Sequence, residues 1–497
     1  MSRRNVSTAA ALALLLFASV HAQRPTSATG TGGRTAFPLT VDSIMRGPDL
    51  VGSAPSAVRW SGDSRWIYFS WQKPGEDEAS TYVVAREGGE PRKLSEEDAR
   101  KAPPAGGRWD AARRRLLATD RGDIVIYDRA SGTVRRITKT EGSESNPRWT
   151  RNDTAVTFVQ GGNLFVVSVD TSAGTDTLLT QLTNIGPRRP EPALTESQRV
   201  LRDEEQQLLD IVRQRAERRK EAEAEREKEA LPRLEINARQ SVGDIQLSPD
   251  GRYAWVTVSE RPAQQGRTAD VPNYVTDSAY AEMIPTRTNV GDAQSHSRLA
   301  IIDLQEKKAV WAEPLEPKRA MSWSMPELSG DGKFAVAGVR SADNKDRWLV
   351  VVDPATGKSR VIDHLHDEAW VRGSGVVGRS GAGGFGSGVA FLNDNRRAVF
   401  LSERDGWMHL YAIDVAQEGA QPVQLTSGEW EIAEARLSGD GTKFFLTTTE
   451  VHPGERHVFV MNADGGARTR ITTATGAHDL TLSPDETAAA DVYSTAT

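Results

Sequence analysis

Residues 245–256 read IQLSPDGRYAWV, two apolar segments joined by a Ser-Pro-Asp-Gly turn. Proline fixes φ at the second position of such a turn, and Asp-Gly tolerates a tight reversal of the chain. The stretch therefore predicts a β-hairpin. Related copies occur at residues 60–63, 149–153, 328–332, 391–394, 437–441 and 482–485, with a weaker copy at residues 109–111.

Two further strand-like segments follow each hairpin. The third segment alternates apolar side chains and ends in Asp or Asn, as in DIVIYD at 123–128, WLVVVD at 348–353 and HVFVMN at 457–462. The fourth is short, as in VRRIT at 134–138, PVQLT at 422–426 and RTRIT at 468–472. Four strands repeated about every 45 residues are typical of the blades of a β-propeller, whereas separate β-sandwiches would not repeat one strand order. We predict an all-β propeller of about eight four-stranded blades over residues 46–497, the last blade incomplete.

Two gaps between the copies are longer than one blade. The first contains one charged α-helical insertion at residues 195–231, which opens with the capping box Thr195-Glu196-Ser197-Gln198 and ends before the helix breaker Pro232. The second is an extended loop insertion at residues 261–296, rich in Pro, Asn, Tyr and Thr. Insertions of this kind map to loops on one face of a propeller, often the binding face.

The first 22 residues have the pattern of a secretory signal peptide. Arg3 and Arg4 precede an apolar run at residues 9–20, and small residues precede a cleavage site after Ala22. That run is shorter than the roughly 18 to 20 residues that a spanning helix needs. We expect export to the periplasm or the extracellular space, a disordered linker at residues 23–45 and no membrane span.

The composition excludes several kinds of chemistry. The 497 residues include no cysteine, and 62 Lys and Arg stand against 68 Asp and Glu. Disulfides, thiolate metal sites and cysteine nucleophiles are therefore excluded. The nearly balanced charge argues against an electrostatic nucleic-acid binder.

No motif of a catalytic site is present. The nearest approach to a Gly-x-Ser-x-Gly nucleophile elbow, at residues 378–382, has Ala382 in place of the last glycine. The glycine-rich segment 373–388 lacks the strand, helix and acidic residue of a dinucleotide site and is predicted to be a loop between blades. His364 and His366 lie beside two acidic residues, but without a third defined ligand hydrogen-bonded structure is favoured over a metal site. We predict no catalytic residue, no metal and no cofactor.

The order of these motifs resembles the N-terminal β-propeller of the prolyl oligopeptidase family of serine peptidases, in particular its dipeptidyl peptidase IV-like branch. The most specific segment is SERDGWMHLY at 402–411, followed by LTSGEWE at 425–431. HDEAW at 366–370 and the segment 271–298 are also similar. The resemblance covers most of the chain after residue 45.

The resemblance implies a propeller that gates and orients peptide substrate for an α/β-hydrolase domain with a Ser-Asp-His triad, C-terminal to this chain. The sequence ends just after the second strand of the eighth unit. We therefore expect a fragment or truncated product of a longer peptidase, inactive alone. The alternative is a stand-alone periplasmic binding or scaffold protein, whose ring is closed by the N-terminal strands near residues 57–71.

The resemblance also implies substrate-binding residues. In dipeptidyl peptidase IV-like enzymes, two glutamates on a helix inserted between blades hold the free amino terminus of the peptide. Glu204 and Glu205 occupy the corresponding place in order on the inserted helix. Two carboxylates in a partly enclosed cavity suit an ammonium group. The usual aromatic neighbours are absent and the helix is longer, so the alternative is two solvated glutamates on a charged helix.

Overall fold

The structure is a computed structural model. It describes residues 40–45, 52–169, 178–187, 217–221, 225, 229–263, 268–288, 291–373, 376–379 and 388–495. Two short helices lie near the start of the chain. Helix α1 (Val41–Ile44) precedes the first strand, and helix α2 (Glu96–Lys101) follows the fourth. Residues 217–221, 225 and 229 are also helical and belong to the predicted insertion 195–231. No helix in these ranges is long and apolar enough to cross a membrane.

Most of the strands in the described residues belong to seven sheets of four or five strands. Sheet 1 contains β1 (Ser56–Trp60), β2 (Trp66–Trp71), β3 (Ser80–Ala85) and β4 (Arg92–Lys93). Sheet 2 contains β5 (Arg108–Trp109), β6 (Arg115–Asp120), β7 (Asp123–Asp128) and β8 (Val134–Arg136). Sheet 3 contains β9 (Ser145–Thr150), β10 (Ala155–Gln160), β11 (Asn163–Ser168) and β12 (Leu179–Gln181). A parallel pair, β13 (Asn184–Pro187) and β14 (Arg233–Ile236), lies on either side of the predicted insertion in the sequence.

Sheet 4 is interrupted by a separate hairpin. Its first two strands, β15 (Gln240–Leu247) and β16 (Tyr253–Glu260), are followed by the hairpin β17 (Thr268–Asn273) and β18 (Glu282–Thr288), which lies in the predicted loop insertion. The sheet then continues with β19 (His296–Asp303) and β20 (Lys308–Trp311). Sheet 5 contains a first strand in two segments, β21 (Met321–Trp323) and β22 (Glu327–Leu328), then β23 (Ala335–Ser341), β24 (Asp346–Val352) and β25 (Ser359–His366).

An additional strand precedes the last two large sheets and belongs to the second of them. The chain passes through β26 (Val376–Arg379) before sheet 6, which contains β27 (Val389–Phe391), β28 (Arg397–Ser402), β29 (His409–Asp414) and β30 (Val423–Gln424). Sheet 7 contains β31 (Ile432–Leu437), β32 (Lys443–Thr448), β33 (His457–Asn462) and β34 (Arg468–Arg470), and β26 pairs in parallel with β31. The final hairpin is β35 (Ala477–Leu482) and β36 (Ala489–Ser494).

The prediction of an all-β fold of the β-propeller class is confirmed, with a correction to the number of blades. The described residues contain seven larger sheets, five of four strands and two of five, and the eighth repeat is the two-stranded hairpin β35–β36. The predicted number of about eight four-stranded blades was therefore too high. The turn motif at residues 482–485 marks the hairpin of first and second strands and does not report third and fourth strands, so a count of turns overstates the number of four-stranded sheets in the described residues.

Hydrogen bonds explain why the turn motif recurs. The Oγ of Ser248 donates to the carboxylate of Asp250 and accepts from the backbone N–H of Tyr253 at 2.8 Å. Gly251 completes the turn with a φ of 74°, which residues with a Cβ rarely adopt. Four other turn serines, Ser61, Ser329, Ser438 and Ser483, accept from the corresponding backbone N–H of the second strand. The serine therefore links the turn to the strand that follows.

Replacing Ser438 by Ala tests this role. The side chain is buried, and its Oγ donates to Asp440 and accepts from the N–H of Lys443 at 3.1 Å. We expect Ser438→Ala to lower the free energy of unfolding by about 1 to 2 kcal/mol, because the hydrogen bonds of a buried hydroxyl are lost. Urea unfolding measures the change. Ser427→Ala, at an exposed position, is the control and should stay within about 0.5 kcal/mol; equal losses in both variants would contradict the assignment.

The threonines of the fourth segments have a related role. Thr426 Oγ1 accepts from the backbone N–H of Leu410 and Thr472 Oγ1 from that of Val458, both at 3.0 Å. Thr138 and Thr183 make the same bond in sheets 2 and 3. The recurring Leu-Thr and Ile-Thr pairs therefore join the fourth segment to the third strand.

The apolar core lies between successive sheets. Sheets 6 and 7, for example, bury Leu401, Leu410, Phe444 and Leu446 in one cluster. Similar clusters join sheets 2 and 3, sheets 3 and 4, sheets 4 and 5, and sheets 5 and 6. Sheets 3 to 6 each take part in two of these clusters. Their strands are therefore buried on both sides, which explains their long apolar runs.

The chain forms two compact units. Of the described residues, the first contains those up to Ala105, Arg129–Gly132 and Asp479–Val492, and the second contains the others, with sheets 2 to 7. In the first unit, the indole N–H of Trp60 donates to the carbonyl of Thr481 at 2.8 Å. Arg86 donates to Thr487 at 3.2 Å in the same unit. Residues from sheet 1 and from the final hairpin therefore pack together.

Candidate functional site

The long links of the second unit emerge from the same end of each sheet. In an antiparallel four-stranded sheet, the link between the second and third strands and the link out of the fourth strand emerge at the same end, here called the inter-sheet end. The insertion between β13 and β14, the hairpin between β16 and β19, and the link between β25 and β27 all belong to inter-sheet ends. Functional residues are most often carried by such loops on a rigid scaffold.

Arg372 connects three links at this end. Its backbone N–H donates to Oε1 of Glu403 at 2.7 Å, in the link between β28 and β29. Its guanidinium donates to Oε2 of Glu431 at 3.3 Å, just before β31. The side chains of Arg372 and Glu431 are 51% and 40% exposed. An ion pair so exposed adds little stability, and both groups remain accessible to a ligand.

Two exposed tryptophans lie on the same links. Trp370 is 59% exposed and Trp407 is 40% exposed. The carboxylates of Asp367 and Asp405 each accept from the backbone N–H of the nearby tryptophan, at 3.2 Å in both cases. These Asx turns hold the backbone of both residues. We call Trp370, Arg372, Glu403, Trp407 and Glu431 the link surface.

The link surface is supported by buried charges between sheets 5 and 6. Arg404 donates to Oδ1 of Asp363 at 2.6 Å, and its guanidinium lies 4.8 Å from the ring centre of Tyr411. Asp363 also faces Arg347 at 3.9 Å, and both side chains are at most 4% exposed. Arg347 in turn donates to the carbonyl of Leu401 at 3.0 Å. The arginine of the SERDGW segment therefore fixes the link that carries Glu403 and Trp407.

His364 and His366 share a carboxylate. Nε2 of His364 and Nδ1 of His366 each lie 2.8 Å from Oδ1 of Asp346, and Arg319 donates to Oδ2 at 2.6 Å. Burial opposes ionisation of Asp346, but these hydrogen bonds outweigh it and hold its pKa below the usual value. Across the described ranges, no group of three or more His, Asp or Glu side chains has the arrangement of a metal site.

A pH-dependent contribution follows for His366. Its hydrogen bond to Asp346, and next that to Glu368, raises the pKa of the imidazole above 6.5. The stabilisation is fully present below the unfolded-state pKa and is lost as the pH rises through the higher folded-state pKa. We expect His366→Gln to have a lower Tm than the wild type at about pH 5 and the same Tm at about pH 9. A difference that is constant with pH would contradict this.

The predicted substrate-binding residues lie elsewhere in the chain. Glu204 and Glu205 are outside the described residues, as is Ser380 of the imperfect nucleophile elbow. The assignment of both glutamates stays a prediction. The sequence places them in the insertion at the inter-sheet end between sheets 3 and 4.

The link surface and its buried support were mostly missed from the sequence. The signals were present: Asp346-Arg347 opens an otherwise apolar strand, and Asp363 interrupts β25. Charged residues are rarely buried unless they are paired, so each predicts a partner. Which partner lies opposite depends on the packing of sheets 5 and 6.

These features define the class of protein: a β-propeller domain with polar and aromatic links at one end of its sheets. The family model described as "Dipeptidyl peptidase IV (DPP IV) N-terminal region" matches residues 244–497, slightly more than half of the chain. The chain belongs to this family.

Several relatives are similar in sequence. A "Probable dipeptidyl peptidase 4" of Aspergillus fumigatus is 27% identical over 227 residues, which cover 43% of this chain and 28% of the relative. A "Probable dipeptidyl-aminopeptidase B" of Emericella nidulans is 37% identical over 71 residues, 14% of this chain and 8% of the relative. The matched region spans less than a third of these curated relatives.

Two solved structures share the fold. A crystal structure of Porphyromonas gingivalis dipeptidyl peptidase 4 matches with a TM-score of 0.52 at 16% identity, over 91% of this chain and 58% of that one. A putative dipeptidyl aminopeptidase IV from Bacteroides ovatus matches with a TM-score of 0.50 at 14% identity, over 90% and 58% of the two chains.

Proposed function

We propose that this chain is the substrate-gating and substrate-orienting propeller of an exported dipeptidyl peptidase IV-like serine peptidase, whose catalytic chemistry resides in an α/β-hydrolase domain outside this sequence. The observation that carries the proposal is the match of residues 244–497 to the N-terminal region of dipeptidyl peptidase IV. The printed names of the relatives, which are dipeptidyl peptidases and a dipeptidyl-aminopeptidase, support the same activity class.

The link surface supports peptide as the substrate class. Trp370 and Trp407 offer exposed indoles, which bind apolar side chains while losing little conformational entropy. Arg372 and Glu431 provide groups of both charges for backbone and terminal groups of a peptide. The hydrogen bonds that hold the backbone of these residues suit orientation of a substrate. None of these side chains is proposed to take part in acyl transfer.

The free amino terminus of the peptide would be held by Glu204 and Glu205. Both lie on the charged insertion 195–231, which belongs to an inter-sheet end. A pair of carboxylates binds an ammonium group through charge-assisted hydrogen bonds, and these gain strength where water is excluded. The pair would thereby select substrates with an unblocked amino terminus.

Export is proposed from residues 1–22 alone. The two arginines, the apolar run and the small residues before the cleavage site form a secretory signal. Edman sequencing of the protein recovered from the periplasm or the medium of a secreting host should begin at Gln23. Recovery of the uncleaved chain in the cytoplasm would contradict this part of the proposal.

The activity is tested by comparing this chain with an extended enzyme that carries the hydrolase domain. The 497-residue chain should neither hydrolyse dipeptidyl chromogenic substrates nor react with a fluorophosphonate probe, since it has no cysteine and no serine within a complete elbow motif. The extended enzyme should do both. Labelling of one serine in this chain above a denatured control, or an inactive extended enzyme, would overturn the proposal in favour of another role such as a binding protein.

A further inference from the structure

The first strands of sheets 2, 3 and 4 lie side by side in the second unit. The indole N–H of Trp149, in β9, donates to the backbone carbonyl of Arg108, in β5, at 2.8 Å. On the other side of β9, Asn146 and Arg148 donate to Asp244, in β15, at 2.6 and 3.3 Å. Arg108, in β5, and Arg148, in β9, therefore lie on adjacent first strands.

The positive charges of Arg108 and Arg148 are incompletely paired. The guanidinium of Arg148 contacts Asp244 only through the 3.3 Å bond of Nη2, and its buried Nε has no partner in the part of the chain described. The side chain of Arg108 forms no hydrogen bond or ion pair with another described residue. Asp244 is already engaged, because its Oδ1 accepts from Asn146 and from the backbone N–H of Ile245 at 2.7 Å.

The environment of Arg108 disfavours its positive charge. Burial, and next the charge of Arg148, lower the pKa of Arg108 to about 10, although Glu327 and Asp244 act in the opposite direction. The residue stays cationic at neutral pH. Proteins normally pair an enclosed cation or replace it, and a charge kept at a cost in stability is characteristic of a binding site.

The surrounding groups restrict the ligand. Guanidinium forks match the two oxygens of a carboxylate, which a lysine would not do equally well. Asp244 and Glu327 both act electrostatically on Arg108, and Asp244 also bonds to Arg148. These two carboxylates disfavour an ion with two negative charges, such as phosphate. We propose that Arg108 and Arg148 form a binding site for a carboxylate group, supplied by a peptide or by a small carboxylic acid. This site is separate from the link surface and requires no hydrolase activity.

The test is thermal unfolding of the full 497-residue chain with acetate, with a short peptide ending in a free carboxylate, and with the same peptide amidated, each against chloride at matched ionic strength. A ligand that binds only the folded state raises Tm. We expect the free-acid peptide or acetate to raise the Tm of the wild type and to bind Arg108→Gln roughly tenfold more weakly. Arg470→Gln removes an exposed arginine of β34 and is the matched control, which should respond as the wild type does.

Each outcome bears on the proposal. In the absence of ligand, Arg108→Gln should unfold at the same or a higher temperature than the wild type, because an unpaired cation is removed; a lower Tm would show a structural role instead. A response to the free-acid peptide but not to its amide supports a peptide carboxylate, and a response to acetate alone supports a small acid. An equal response in wild type and Arg108→Gln, or none in the wild type beyond chloride, would overturn the site. These results do not depend on the proposed peptidase function.

Discussion

Changing Glu204 or Glu205 to Ala in the extended enzyme is expected to reduce kcat/KM for free-amino dipeptidyl substrates by roughly ten- to a hundredfold. The loss corresponds to about 1.5 to 3 kcal/mol for a charge-assisted contact with an enclosed ammonium group. The effect should fall on recognition, because these carboxylates would not take part in acyl transfer. The rate at which a fluorophosphonate probe labels the catalytic serine should therefore change little.

The same predicted insertion, residues 195–231, provides the control. Glu223→Ala and Glu225→Ala remove carboxylates from its charged continuation and should leave kcat/KM unchanged, as solvated charges usually do. A substrate with a blocked amino terminus should be insensitive to Glu204→Ala. Unchanged kcat/KM in both Glu204→Ala and Glu205→Ala would favour the alternative interpretation, two solvated glutamates on a charged helix.

The second large effect concerns Asp363. Asp363→Ala should lower the free energy of unfolding by about 3 to 5 kcal/mol, because it leaves the buried Arg347 without its nearest carboxylate. Arg404 loses its 2.6 Å bond in the same variant. Urea unfolding at neutral pH gives the change. Proteolysis should also begin in the link between β28 and β29, since Arg404 no longer fixes it.

Two further variants separate charge from packing. Asp464 pairs with Arg397 at 2.7 Å but is 76% exposed, so Asp464→Ala should change the free energy of unfolding by less than about 0.5 kcal/mol. Asp363→Asn keeps the shape of the side chain and removes its charge, and it should fall between the wild type and Asp363→Ala. If Asp363→Ala is as stable as Asp464→Ala, the buried charges do not stabilise the contact of sheets 5 and 6.

The strands and turns were largely predictable because their signals are local. A buried serine that accepts from the following strand, as Ser248 and Ser438 do, requires only residues five positions apart. The number of complete sheets was less predictable, since a turn motif does not report whether third and fourth strands follow. Nor did local pattern indicate β26, whose parallel partner β31 lies more than fifty residues further along the chain.

Some residues of the candidate site were indicated by the sequence, and others were found only in the tertiary structure. Glu204 and Glu205 were proposed from their place in the order of motifs, and Trp407 belongs to a segment that the resemblance had already distinguished. The pairing of Arg372 with Glu431 joins residues 59 positions apart, and no spacing rule connects them. The two histidines were considered as metal ligands, yet both bond to Asp346, which is 18 and 20 positions away.

The amino-acid sequence by itself determined the repeating hairpins, the all-β class and the absence of cysteine chemistry. These properties depend on turn residues, strand periodicity and composition, which act over a few neighbouring positions. Only the tertiary structure decided which charges meet: Arg347 with Asp363 between sheets 5 and 6, and Arg108 beside Arg148 on adjacent first strands. The physical reason is that electrostatic partners are set by distance in space and by burial, and both arise only when one sheet packs against the next.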